Sequence, residues 1–186
     1  MLKFLPPLNE NMKTPEFRAY MVETAWDYYV IAHKGTYRRG YIETSLSCLS
    51  LEILLKSFNA DIAKNKGQIN EMYRPNDKVR KLGKKSHDLM ELYGLLDREY
   101  QTYLFNESDL STLARHSNFF SSTRYGYEPD VPSVFHDSIS KLAAASICKV
   151  IYLYKVRGCN DPFIVNFNLD EVYFSDVQKV LFYVEK

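Results

Sequence analysis

A mainly α-helical bundle of about five helices, closed by a short C-terminal β-hairpin or extended arm, is the fold this 186-residue sequence predicts. Three observations point there. Apolar residues recur at spacings of three and four through five long segments, the period of an amphipathic helix. Glycine and proline are scarce, seven of each, which excludes an all-β chain built from many tight turns. Only the tail alternates with a period of two.

The first helix is expected to open at Pro15 with Thr14 as N-cap. Phe17, Met21, Ala25, Tyr28 and Ala32 form its apolar stripe, and Gly35 closes it. A second helix is expected over residues 38–64. Its two stripes, Ile42-Leu46-Leu49-Ile53 and Cys48-Leu51-Leu55-Phe58-Ile62, give it a wide apolar arc and a central place. Residues 65–86 break the periodicity at Gly67, Pro75 and Gly83 and read as the main loop. Ser86 can cap a third helix with Leu89, Leu92, Leu96, Tyr100 and Tyr103 buried, and with Asp88 and Glu91 in its first turn. A shorter fourth helix spans residues 106–120, capped by Asn106 or Ser108, and residues 121–132 form a connection. Ser133 opens the last long helix, with Ile139, Ala143, Ile147, Val150 and Tyr154 on one face and Gly158 at its end. In the tail, Val165, Phe167 and Leu169 alternate with Asn166 and Asn168, and residues 177–184 can supply a partner strand; Ser175 could instead cap a short helix. The helical domain is thus residues 1–157, with residues 158–186 as an extension packed on it.

Composition narrows the function classes. Twenty-four Lys and Arg against 23 Asp and Glu leave a net charge of +1, which excludes a uniformly basic nucleic-acid coat. The exception is local. Residues 64–85 hold eight cations (Lys64, Lys66, Arg74, Lys78, Arg80, Lys81, Lys84, Lys85) against Glu71 and Asp77, a net +6 that leaves −5 for the rest. Phosphate is the natural partner of such a segment. Arg115, His116, Arg124, Tyr125 and Tyr127 combine cations with stacking faces, as single-stranded RNA and nucleotide pockets do, and Tyr37, Arg38, Arg39 and Tyr41 repeat the theme. Three cysteines, odd in number and far apart, predict neither disulfides nor a zinc knuckle and fit a reducing cytoplasm. The most apolar run, residues 142–154, is too short to span a bilayer, which takes about 20 residues. The four histidines are too scattered for a metal site, and no phosphate-loop, dinucleotide, zinc-protease or nucleophile-elbow motif occurs, so no metal or cofactor is expected.

Three stretches resemble HEPN domains (higher eukaryotes and prokaryotes nucleotide-binding). SLSCLSLEILLKSF (residues 45–58) is similar to that family's second helix, a small-residue stretch followed by a Glu, here Glu52, and an aliphatic-Leu-Lys ending, here Leu54-Leu55-Lys56. KSHDLMELYGLL (residues 85–96) resembles its Gly/Ser-His-Asp-Leu motif with a Leu three residues on. Arg115 and Arg124-Tyr125 resemble the Arg and Arg-Tyr positions of several non-toxin subgroups. The likeness runs over residues 15–157.

The resemblance implies a helical bundle that homodimerises and that associates with RNA or nucleotides, or with a protein partner, in a defence or toxin–antitoxin setting. Its nuclease branch uses an Arg followed after four to six residues by a His near the start of the last long helix. Here the one Arg with a His at that spacing is Arg80, six residues before His87, and the pair precedes the third helix. The chain therefore reads as a non-catalytic module with Lys84, Lys85, Arg115, Arg124 and Tyr125 as its RNA- or nucleotide-binding residues. The alternative is a metal-independent endoribonuclease using Arg80 and His87. In that case the imidazole would move the ribose 2′-hydroxyl proton and the guanidinium would steady the phosphate.

Overall fold

The structure is a computed structural model that describes residues 4, 6–37, 40–68, 70–119 and 137–177. It is mainly α. In chain order come α1 (Ala19–Lys34), α2 (Gly40–Ser57), β1 (Ala60–Lys64), β2 (Met72–Pro75), α3 (Asp77–Lys81), a 3-10 turn (Gly83–Lys85), α4 (Leu89–Gly94), α5 (Arg98–Leu104) and α6 (Glu107–Arg115). After residues 120–136 follow α7 (Ser138–Val156), α8 (Pro162–Asn166), α9 (Leu169–Val172) and a π turn (Tyr173–Val177).

Three long helices make the core. α7 is its axis, with Ile139, Ala143, Ala144, Ile147, Cys148, Val150, Ile151 and Leu153 at 0% exposure, and only Lys141, Ala145 and Tyr152 of residues 139–153 partly exposed. α1 and α2 pack against it and along each other. Small side chains on α2 let the backbones come close: Ser50, fully buried, donates its hydroxyl to Ala25 O at 2.6 Å. The buried stripe of α1 is Val22-Ala25-Tyr29-Ala32, one residue off the expected register at two places. α1 also starts four residues later than Pro15. Residues before it are held across the ends of α2 and α7, where the Arg18 N–H donates to the Tyr154 hydroxyl and its Nε to Ala60 O. Gly35 ends α1 because the Tyr37 hydroxyl folds back over it to Ile31 O, leaving no room for a Cβ.

The second helix stops at Ser57, seven residues before its expected end. Residues 60–64 leave the helix to pair with β2 as an antiparallel hairpin (Asp61 opposite Arg74, Ile62 opposite Tyr73), with a bulge between Ile62 and Lys64. The expected loop at residues 65–86 is therefore largely built: a β-strand, α3 with Asn76 as N-cap accepting from Val79 N, and a 3-10 turn. A left-handed turn at Asn65 (φ 56°) and Gly67 (φ 76°) reverses the chain.

The third helix divides at residues 95–97 into α4 and α5, yet all five residues of its expected face are buried. Its cap is Asp88, not Ser86. Asn106 caps α6 with a reciprocal bond to Asp109, as its sequence position suggests. Gly158 (φ 81°) ends α7, and Cys159 N closes the turn on Tyr154 O at 2.9 Å.

The strand expected at residues 163–169 is a correction: residues 162–166 and 169–172 are helical, with a two-residue break between them. Asp161 accepts from Phe163 N and Ile164 N, and Pro162 occupies the first helical position, a start signal that outweighs a five-residue alternation. α8 turns Ile164 into the core, and Phe167 meets Trp26 of α1 edge-on. Of the expected second strand, residues 177–184, Val177 ends the π turn and the rest lies outside the described residues. No helix among the described residues is long and apolar enough to cross a membrane.

Candidate functional site

Two of the stretches singled out in the sequence meet in space. Glu52 on α2 is buried, its side chain 5% exposed, and its Oε1 takes Lys56 Nζ at 2.7 Å and His87 Nδ1 at 2.8 Å. Facing a carboxylate, which only accepts, Nδ1 is the protonated ring nitrogen. Glu52 Oε2 is buried with no protein donor among the described residues. His87 is half exposed, so a ring anchored from inside presents an edge to solvent.

The next residue faces inward. Asp88 caps α4 through Met90 N (2.9 Å) and Glu91 N (3.1 Å) and accepts the Ser117 hydroxyl. Burial pushes its carboxyl up, but the bonds from Ser117, the two backbone N–H groups and Asn118 outweigh it and hold the group below the usual carboxylate range. Leu89 N also donates to Ser117 O, so the end of α6 lies against the start of α4. That junction brings the Arg115 stretch beside the His87 stretch. Arg115 is exposed at the last position of α6, while His116 is buried with Nδ1 against Thr112 O at 2.8 Å and serves the helix end.

The basic segment leads into α4, and its last residue, Lys85, reaches Glu91 of that helix. All eight of its cations are exposed. Arg80 pairs with Asp77 and Lys85 with Glu91 at 2.6 Å; Lys64, Lys66, Arg74, Lys78, Lys81 and Lys84 make no ion pair among the described residues. Folding into a hairpin, α3 and a 3-10 turn gives these charges fixed anchor points, with Val79 of α3 fully in the core. Arg80 and His87 are held by different carboxylates, Asp77 and Glu52. Arg38, Arg39, Arg124, Tyr125 and Tyr127 lie outside the described residues.

The cysteines take no part in this chemistry. All three are free and buried, and burial pushes the Cys48 and Cys148 thiols up to about 12. Among the described residues no group of three His, Cys, Asp or Glu side chains could hold a metal ion.

Two charged residues had no role assigned from the sequence. Lys149, on the otherwise apolar α7, is 8% exposed and donates to Tyr103 O (3.2 Å) and Leu104 O (3.0 Å), closing the end of α5. A lysine within an apolar run is the signal that could have found it. Arg18 is buried at the start of α1, and no sequence pattern marks it. Comparison of the chain with protein-family models, curated proteins and solved structures returned no match.

Proposed function

We propose that this chain is a non-catalytic, HEPN-like module that binds RNA or nucleotide phosphates through its basic segment. One observation carries the reading: six exposed cations on a folded lobe have no acidic partner among the described residues, and the other two pair with exposed or half-exposed carboxylates that a phosphate can displace. Uncompensated like charges on ordered elements repel one another, and a polyanion relieves that repulsion while releasing its own counterions. Arg115 sits by the α4–α6 junction and adds an exposed cation to the proposed surface; Arg124 and Tyr125, the other residues the resemblance implies, lie outside the described residues. The resemblance adds a homodimer, in a defence or toxin–antitoxin setting, with a protein partner as the other ligand class.

The test is binding of a mixed-sequence single-stranded RNA at two salt concentrations. For four phosphate contacts the logarithm of the binding constant falls against log salt with a slope of about −3, from roughly −0.7 per contact on single strands. Lys81→Glu with Lys84→Glu should flatten that slope and weaken binding uniformly across sequences. Binding unaffected by both changes would sink the reading.

The Glu52–His87 pair favours a second reading, the endoribonuclease. A buried carboxylate on Nδ1 fixes the tautomer of a half-exposed imidazole, the arrangement that readies a ring for proton transfer. Arg80 would have to leave Asp77 to reach a phosphate. Cleavage of RNA in EDTA that vanishes in His87→Ala would establish it; intact RNA with wild-type protein would remove it.

A further inference from the structure

Arg18 is a buried cation with an exposed partner. Its side chain is 6% exposed, and its donors go to Ala60 O (Nε, 2.9 Å), Phe17 O (Nη1, 3.1 Å) and the Glu16 carboxylate (Nη2). The two carbonyls orient the group and bring no charge. Its one ion-pair partner among the described residues is Glu16, whose side chain is 83% exposed on the irregular segment before α1. A guanidinium taken out of water needs a counter-charge. Here that charge stands in solvent, where an ion pair is weak and readily exchanged.

Two clefts meet at this guanidinium. One, of about 280 Å³, runs between the segment before α1 and the end of α2, and Lys13, Asn59, Asn76 and Lys78 line it with Arg18. The other, of about 370 Å³, follows the outer side of β1 to Lys64 and Lys66. Lys13 and Lys78 make no ion pair among the described residues, and they come from two different elements onto the same cleft as Arg18. The Tyr73 ring lies 5.8 Å from the guanidinium carbon and supports the cation independently of Glu16. Asp61 lines both clefts and Asp97 the first. They would repel an anion that filled either cleft, and they can accept from hydroxyl groups.

We infer that Arg18 is the anchor of a binding site for the phosphate of a sugar phosphate monoester, with Glu16 occupying the anion position until the ligand displaces it. The planar fork of the guanidinium matches two phosphate oxygens. Lys13 and Lys78 add charge from the cleft walls. Asp61 and Asp97 take the sugar hydroxyls, which favours an ester over the free anion. This deepens the proposed phosphate-binding function by naming the group seized, and it places that group at a residue outside the basic segment.

The experiment is calorimetric titration of wild type, Glu16→Ala and Lys78→Ala with adenosine 5′-monophosphate, inorganic phosphate and adenosine. Both substitutions are at exposed positions, and circular dichroism checks that each variant keeps its fold. Removing the competing carboxylate should tighten binding of the monophosphate about three- to tenfold, the range an exposed ion pair commands. Lys78→Ala should weaken it by a similar factor, inorganic phosphate should bind more weakly than the monophosphate, and adenosine should not bind. Equal affinity in wild type and Glu16→Ala, or adenosine binding as well as its phosphate, would overturn the inference. RNA arms separate the two proposals. If 5′-phosphorylated and 5′-hydroxyl oligonucleotides bind alike and Lys81→Glu with Lys84→Glu weakens both, the basic segment binds RNA and the Arg18 site falls. If the monophosphate binds with Glu16 dependence while RNA does not bind, the Arg18 site stands and the RNA reading falls.

Discussion

Asp88 shows what one carboxylate does when folding places four donors around it. Replacing it by Ala removes the α4 cap and strands the Ser117 hydroxyl, and the expected loss is about 1–2 kcal/mol of unfolding free energy in urea. Asp88→Asn should cost less, since an amide oxygen still caps. The pH dependence has a definite sign. A carboxyl held below its ordinary value of 3.8 contributes stability that is present above that value and is lost as pH falls through the lower, folded value. Wild type should therefore lose stability relative to Asp88→Asn on acidification below about pH 4. Parallel acid titrations of the two proteins would contradict this. His87, Asp88 and Glu52 were each visible in the sequence as members of short motifs. Their meeting was not, because 35 residues separate His87 from Glu52 and no local pattern encodes a contact across that distance.

At the scale of elements, helix existence was legible and helix ends were not. The apolar faces of the α4–α5 stretch and of α7 are buried as their periodicity demands. The end of α2 was missed because Ile62 fits the helical stripe, while pairing of residues 60–64 with β2 wins over another turn of helix. The hairpin buries little: of its nine residues only Ala60 is buried. Its amides should exchange with solvent through local opening, well before those of α7, which exchange only on global unfolding. Protection in β1 equal to that at Ile147 would refute this. Within the core, Lys149→Met should destabilise by about 1–3 kcal/mol, because the carbonyls of Tyr103 and Leu104 lose their donor; chemical denaturation measures it.

For the whole molecule, the high aromatic content, 15 Tyr among 186 residues, becomes a pH limit. Burial raises Tyr100 and Tyr154 from 10 to about 12 and lifts Tyr29, Tyr73 and Tyr103 further. A phenol raised in the folded state gives stability that is whole below pH 10 and is lost as pH climbs through its folded value. The chain should unfold cooperatively at or below about pH 12, with the last step of phenolate absorbance at 295 nm, that of the buried tyrosines, rising together with the loss of helical ellipticity. Phenolate absorbance of all 15 tyrosines reached with helicity intact would contradict the burial.

The sequence by itself determined the helical class, the buried faces and the basic character of residues 64–85, because periodicity and charge are local properties of the chain. Tertiary structure alone decided the rest. It turned the expected loop into a hairpin and α3, made the first tail strand a capped helix, joined Glu52 to His87 and enclosed Arg18. Each of those outcomes depends on which distant backbone group or charge is within reach, and reach is set only when α1, α2 and α7 have packed.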